Sequence, residues 1–201
     1  MHSIDIWRVV GGEFAEHWDE LNMLEVPAAR RDPPARSRRA GTAVVSTLSH
    51  ILAAAALMAS AVIYGTDVFC AIVQRPALAQ VSDRALTSVM GRIHEYGDRR
   101  LPLPGALGIT AAALATVTAA IAGHAAAAAT AATAVTAQAV WLIIYVRASA
   151  PVNRALTAAA RAGYVPADAR SLQHRWNSVI TARAILQAAA AAALCAALAV
   201  P

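Results

Sequence analysis

Residues 101–146 read LPLPGALGITAAALATVTAAIAGHAAAAATAATAVTAQAVWLIIYV and contain no formally charged side chain. A helix that crosses a membrane needs about 20 mainly apolar residues, so this stretch is too long for a single span. Gly123-His124 interrupts it near the middle. The stretch therefore predicts two spans, at about 101–122 and 125–147, joined by a tight turn.

The composition of the whole chain agrees with a membrane location. Of its 201 residues 58% are hydrophobic and 14% charged, and the mean hydropathy is +0.50. Alanine occupies 54 positions and aromatic residues only 5%, so the apolar content comes mostly from small side chains. Such an alanine-rich composition is typical of closely packed membrane helices and argues against a soluble domain.

Two further charge-poor stretches predict spans on either side of this hairpin. Gly41–Thr66 and Ala184–Val200 both lack a formal charge. The last stretch extends back to Trp176 if Arg183 reaches the membrane interface with its long side chain. We therefore predict an all-α membrane protein in contact with the lipid bilayer, a four-helix bundle with spans at about 41–66, 101–122, 125–147 and 176–200.

The loop between the first two spans contains an amphipathic pattern in residues 82–100, which predicts a helix that begins at Ser82 or Asp83. This helix would either lie on the membrane surface or cover the end of the bundle. Its predicted apolar stripe consists of Leu86, Val89, Met90, Ile93 and Gly97.

The second loop, residues 148–176, is expected to contain a short helix. Pro151 should end or kink the third span, and Gly163 should close the short helix. Pro166 and Asp168 then mark the beginning of the long last helix.

The N-terminal residues differ from the rest of the chain. Residues 1–26 contain two alternating stretches around Gly11-Gly12, which predicts a β-hairpin, and residues 27–40 form a Pro- and Arg-rich linker that we expect to be disordered. Residues 3–22 resemble the closing hairpin of the polyketide-cyclase-like, nuclear-transport-factor-2-like domains. The rest of such a domain is absent, so we expect a hairpin-like remnant followed by the membrane domain, 41–201.

The distribution of the arginines indicates which side of the membrane the loops occupy. With four spans, 11 arginines fall on the face that carries both loops and 6 on the other. Five of the six form a cluster directly before the first span, which favours the opposite orientation. On the larger count we expect loops on the cytoplasmic side of a bacterial plasma membrane.

Several kinds of chemistry find no support in the sequence. The arginines do not form one basic face with aromatic residues between them, so we expect no nucleic-acid partner. No ligand spacing for a metal and no phosphate-binding loop occurs, so we expect no metal and no cofactor. Cys70 and Cys195 are expected to be free, buried thiols.

Four separate segments resemble the anthrone-oxygenase-like family of small integral membrane proteins. They are YGTDVFCAIVQRPAL (64–78), MGRIHEYGDRRLPLPG (90–105), APVNRAL (150–156) and LQHRWNSVITAR (172–183). The resemblance implies a four-helix bundle and, for some members, addition of dioxygen to a polyphenolic anthrone without a cofactor. A hydrophobic aromatic small molecule would then be the substrate.

Such a reaction needs a base, an apolar pocket and donors for the developing oxyanion. His94 is the candidate base because the ordinary pKa of histidine lies near neutrality. The candidate oxyanion partners are Arg75, Arg99 and Arg183. The candidate substrate-binding residues are Tyr64, Asp67, Trp141, Tyr145, Asn153, Trp176 and Asn177.

Structural roles compete with each of these assignments. The aromatic residues can anchor helix ends at the interface, Asp67 can pair with Arg75 or Arg183, and Asn153 can cap a helix. His94 and Glu95 can be a solvated pair. The run Asp98-Arg99-Arg100 can be a membrane-edge anchor.

Two functions therefore remain open, an oxygenase and a non-catalytic membrane protein that binds a lipid-like ligand or a partner protein. Transport by a homo-oligomer in which Gln138 or Gln187 faces a shared lumen is a further alternative. The oxygenase hypothesis predicts that five side chains meet in one pocket, namely His94, Arg99, Asn153, Trp176 and Arg183.

Overall fold

A computed structural model describes residues 4–10, 13–20 and 35–200, with side chains from residue 41 onward. The chain divides into two compact units, 1–40 and 41–201. In the first unit, β1 (Ile4–Val10) pairs antiparallel with β2 (Glu13–Glu20), with Trp7 opposite His17. Gly11-Gly12 and residues 27–34 of the predicted linker lie outside the described residues.

The second unit consists of helices that follow one another closely along the chain. In order they are α1 (Ala35–Phe69), a π-helical turn (Cys70–Gln74), α2 (Arg75–Ala79), α3 (Asp83–Arg100), α4 (Pro102–Ile121), α5 (Ala125–Ile144), a second π-helical turn (Tyr145–Ser149), α6 (Ala150–Ala162) and α7 (Ala169–Ala199).

Four of the helical stretches are long and apolar enough to cross a membrane, which confirms the predicted all-α, four-span architecture. They are Gly41–Ala79, Pro102–Ile121, Ala125–Ala162 and Ala169–Ala199. The turn between α4 and α5 contains Gly123 at φ 83°, a left-handed conformation that favours glycine. Next to it, His124 Nε2 is hydrogen-bonded to Ser46 Oγ of α1 at 2.8 Å.

The first and third helical stretches run further than predicted, because Pro76 and Pro151 do not end them. Each proline lies in the first turn after one of the π-helical turns. Proline lacks an N–H and clashes with the carbonyl four residues earlier, and a widened turn in front of it accommodates both defects. Of the two effects predicted for Pro151, ending or kinking the span, the first is therefore excluded, whereas Gly163 closes α6 at φ 74° as expected.

Helix α3 covers the loop end of the bundle, and its buried face shares Leu86 and Met90 with the predicted apolar stripe. Its N-cap is Ser82, whose hydroxyl accepts a hydrogen bond from the Ala85 N–H at 3.3 Å. Val89 and Ile93 of the predicted stripe are 49% and 45% exposed. The buried face is Leu86, Thr87, Met90, Gly91 and His94. Thr87 and His94 are polar, and apolar spacing therefore could not predict that they belong to this face.

Buried apolar residues form two clusters that differ in the size of their side chains. The loop-side cluster contains Leu86, Met90, Leu156, Trp176 and Ile180. In the second cluster Ala56, Ala112, Ala134, Ala190 and Leu194 bring all four spans together, as small residues permit. Cys70 is buried and free, but Cys195 is exposed, because the second cluster already occupies the centre of the bundle.

Candidate functional site

A cavity of about 330 Å³ lies between the spans and α3. Seven of the eleven predicted site residues line it: Asp67, His94, Trp141, Tyr145, Asn153, Trp176 and Arg183. Its apolar walls come from residues that include Ile63, Met90, Leu101, Ile109 and Leu142. Four of the five side chains of the pocket expected for an oxygenase therefore meet in one cavity, and Arg99 does not.

Arg183 is the charged centre of the cavity. Its Nη2 contacts Asp67 Oδ1 at 2.6 Å and its Nη1 donates to Ser149 Oγ at 2.8 Å. Trp141 Nε1 donates to the other Asp67 oxygen at 2.6 Å. Arg183 is only 6% exposed, so it does not reach the interface as expected for the extended span. Its Nε is buried without a partner and can donate to a ligand.

Three aromatic rings surround the Arg183 guanidinium. Its central carbon lies 4.9 Å from the ring centre of Trp141, 5.5 Å from that of Tyr145 and 5.7 Å from that of Trp176. Trp141 and Tyr145 are stacked on each other, with their planes 2° apart. A cation over ring faces is an attractive arrangement. These rings thus face the cavity and hold Arg183, so they are not simple interfacial anchors.

Asp98 belongs to a hydrogen-bond network with three of the predicted site residues. From the sequence it was interpreted as part of a membrane-edge anchor. Tyr145 Oη donates to Asp98 Oδ1 at 2.7 Å, and Asn153 Nδ2 donates to the same oxygen at 2.8 Å. Trp176 Nε1 donates to Asn153 Oδ1 at 3.1 Å. Asn153 is therefore part of this network and not a helix cap. Asp98 follows His94 by four residues, a spacing that could have placed both on one helix face.

His94 lies on the buried face of α3, 5.6 Å from the Trp176 ring. Its Nε2 is buried and has no hydrogen-bond partner. Burial lowers the pKa of His94 from its ordinary value near 6.5 to about 4, with Asp98 acting to raise it and Arg183 to lower it. The imidazole is thus neutral at pH 7 and a weaker base than the expectation of a near-neutral pKa assumed.

Glu95 belongs to the outer face of α3 and not to a pair with His94. Its carboxylate contacts Arg161 at 3.0 Å, Arg92 at 3.0 Å and Arg99 at 3.2 Å. The Arg161 hydrogen bond, aided by the other two arginines, lowers the pKa of Glu95. The expected solvated pair of His94 and Glu95 is therefore wrong, because neighbouring residues on a helix point about 100° apart.

Four predicted site residues lie outside the cavity lining. Arg75 is exposed, with Nη1 3.4 Å from Thr181 Oγ1, and Arg99 is exposed and pairs with Glu95. Asn177 accepts a hydrogen bond from Gln173 Nε2 at 3.0 Å, and Tyr64 is half-buried. Arg75 and Arg99 each follow a cavity residue, Gln74 and Asp98, and the rotation of one residue turns them outward.

Two glutamines also line the cavity, and their position differs from the shared lumen that was considered for an oligomer. Gln138 and Gln187 are 5% and 3% exposed and line the cavity of a single chain. Gln138 Nε2 donates to Ser60 Oγ at 2.8 Å. Neither glutamine is therefore on a surface that a second chain could share. Their spacing of one helical turn from Trp141 and Arg183 could have predicted that they share the cavity face with these residues.

In residues 41–200, for which side chains are described, no three His, Cys, Asp or Glu side chains form a group that could hold a metal ion. Comparison of the chain with protein-family models, with curated proteins and with solved structures finds no match in any of the three.

Proposed function

We propose that this membrane protein binds a flat, hydrophobic aromatic molecule in the cavity and oxygenates it with dioxygen and without a cofactor. One observation carries the proposal. Side chains from separate helices, which the sequence suggested for this reaction, meet in an apolar cavity around a buried imidazole nitrogen without a partner. An apolar pocket with a few convergent polar groups is the usual form of a small-molecule site.

The cavity suits a ring system with an acidic or carbonyl oxygen at one end. Its volume of about 330 Å³ lies at the lower end of the range for small-molecule pockets. Trp141 and Trp176 contribute aromatic surface to the lining, and Arg183 Nε provides a donor in surroundings of low polarity. This combination favours a planar substrate whose negative charge develops next to Arg183.

The proposed reaction begins when His94 Nε2 removes a proton from the methylene carbon of an anthrone-like substrate. The resulting carbanion is delocalised onto the ring oxygen, near Arg183. Dioxygen accepts electrons from the carbanion and forms a carbon–oxygen bond, which gives a peroxide anion. The His94 imidazolium returns its proton to this peroxide, and the resulting hydroperoxide loses water. One oxygen atom ends in the new carbonyl group and the other in water, so the substrate and dioxygen balance without another reactant.

The low pKa of His94 bears directly on this step. A base with a pKa of about 4 takes up a proton less readily than an ordinary histidine, by about 3 kcal/mol. The substrate anion formed beside the imidazolium offsets part of this cost, whereas the attraction of Asp98 is already included in the pKa of about 4. The same pKa favours the second candidate function, a binding protein for a lipid-like or aromatic ligand that performs no chemistry.

We further propose a bacterial plasma membrane as its location, with both loops in the cytoplasm. The support is the larger number of arginines on the loop face, 11 against 6.

Oxygen uptake by the protein in nanodiscs tests the oxygenase. A panel of anthrones and hydroquinones is offered with a chelator present, and we expect uptake that His94→Ala abolishes. His174→Ala is the matched control, since His174 is an exposed histidine that does not line the cavity. Ring binding without uptake that depends on His94 would leave the binding protein as the better account.

A further inference from the structure

Gln138 and Gln187 bring two polar side chains into a part of the cavity that the proposed reaction does not use. Both are more than nine-tenths buried, and the Oε1 atom of each has no hydrogen-bond partner. Buried polar atoms are usually paired, because an unpaired one loses its hydration without compensation. These two oxygens therefore indicate a group that the protein alone does not supply.

The two glutamines lie deeper in the membrane than the catalytic candidates. Gln187 follows Arg183 by one turn of α7, in the direction away from the loops. Gln138 precedes Tyr145 by seven residues of α5, which is about 10 Å along a helix axis. The cavity thus has polar groups at both ends, with apolar walls between them.

A hydroxyl group is the chemical partner that fits this deep end. Gln138 already bonds Ser60 through one polar atom of its amide and leaves the other for the cavity. A hydroxyl can donate and accept, so it can bond both amides whichever polar atom each presents. A charged group does not fit, because neither glutamine offers it an opposite charge.

We propose that Gln138 and Gln187 form a second polar subsite that binds a hydroxyl group of the ligand. The inference rests on the proposed function and narrows its substrate class. The ligand is a ring system whose reacting ring lies near His94 and Arg183 and whose hydroxyl group is on an outer ring, toward the glutamines. The glutamines bind this hydroxyl and select hydroxylated substrates, while the chemistry takes place at the reacting ring.

The probes are anthrone and 2-hydroxyanthrone, bound under nitrogen and followed by quenching of tryptophan fluorescence. In the native protein we expect the hydroxylated ring to bind about tenfold more tightly, the equivalent of one hydrogen bond. Gln138→Met and Gln187→Met keep the volume of the side chain and remove its polar atoms. Each should reduce the preference toward unity.

Gln173→Met is the matched control. Gln173 is also buried on α7 with an unpartnered oxygen, but it does not line the cavity, so the preference should persist in this variant. A preference that survives both cavity variants, or is absent from the native protein, would overturn the subsite.

Oxygen uptake measured on the same variants separates the two proposals. A glutamine-dependent preference without uptake would support the subsite and reject the oxygenase. Oxygen uptake that depends on His94, with no preference for the hydroxylated ring, would support the oxygenase and reject the subsite. Failure of the native protein to bind either ring would reject both.

Discussion

Arg183 and Asp67 form an ion pair inside the bundle, with side chains 8% and 2% exposed. Arg183→Leu should lower the free energy of unfolding in detergent by about 3–5 kcal/mol, because it leaves the Asp67 carboxylate buried without its counter-charge. Denaturant titration measures the change. Arg99→Ala removes an exposed pair and should cost less than about 1 kcal/mol. Equal losses in the two variants would contradict the structural role of Arg183.

His94 should make the stability of the protein depend on pH. The unfolded chain binds a proton at this histidine below about pH 6.5, whereas the folded protein binds it only near pH 4. Stability is therefore complete above pH 6.5 and falls as the pH drops toward 4, by about 3 kcal/mol in full. Unfolding measured across this window should show the decline, and His94→Gln should flatten it.

A variant of another histidine is the control for this experiment, and Glu95 is a second group whose pH dependence must be considered. His174→Gln should retain the decline, because His174 is exposed. Glu95, whose pKa is lowered, contributes its full stabilisation above its ordinary pKa of 4.5 and loses it only below that pH. This loss is the same in the native protein and in the variant. A decline that persists in His94→Gln would show that another group causes it.

At the scale of the helices, Gly91 permits the contact between α3 and α6. A Cβ atom at this position would lie 2.3 Å from Ala160 Cβ and 2.4 Å from the Leu156 carbonyl oxygen. Gly91→Ala should therefore force the helices apart and cost about 1–3 kcal/mol. Because His94 lies on the same face one turn later, the binding of ring ligands should weaken too. Thermal unfolding and fluorescence quenching measure the two effects.

Gly97→Ala in the same helix is the matched control. The nearest atom to a Cβ at this position is Leu101 Cδ1, at an ordinary contact distance of 3.7 Å. Alanine favours helix over glycine by up to about 1 kcal/mol, so this variant should be as stable as the native protein or more stable. If Gly91→Ala behaves like Gly97→Ala, the close approach of α3 and α6 does not matter for stability.

For the whole molecule, four spans place both loops on one face of the membrane and the 123–124 turn on the other. Single cysteines at Gln80, Tyr164 and Ala125, with Cys70 and Cys195 replaced by alanine, test this arrangement. We expect an impermeant maleimide to label Ala125→Cys in intact cells and to label Gln80→Cys and Tyr164→Cys only after permeabilisation. The expectation follows from the proposed cytoplasmic loops.

The outcomes of this experiment separate orientation from topology. The reverse labelling pattern would place the loops outside and leave the four spans intact. Different accessibility at Gln80→Cys and Tyr164→Cys would contradict the four-span fold itself, since the second and third spans bring the chain back to the same face.

The amino-acid sequence alone was sufficient to predict the four spans, the turn at Gly123, a cap at Ser82 or Asp83 and the closure of α6 at Gly163. These features depend on runs of apolar residues and on local backbone preferences, which neighbouring residues in the chain decide. It also identified seven of the residues that line the cavity, because polar and aromatic side chains near the ends of apolar spans are rare and their helical spacing shows which share a face.

The tertiary contacts of the bundle were needed to establish which of two neighbouring residues faces inward and which charged groups form pairs. In the folded protein Asp98 points toward Asn153, whereas Arg99 points away from the cavity. Asp67 pairs with Arg183, and burial lowers the pKa of His94 to about 4. These outcomes depend on contacts between residues far apart in the chain and on exclusion of water, which one-dimensional spacing does not contain. The pairing of buried groups is for that reason a property of the assembled bundle.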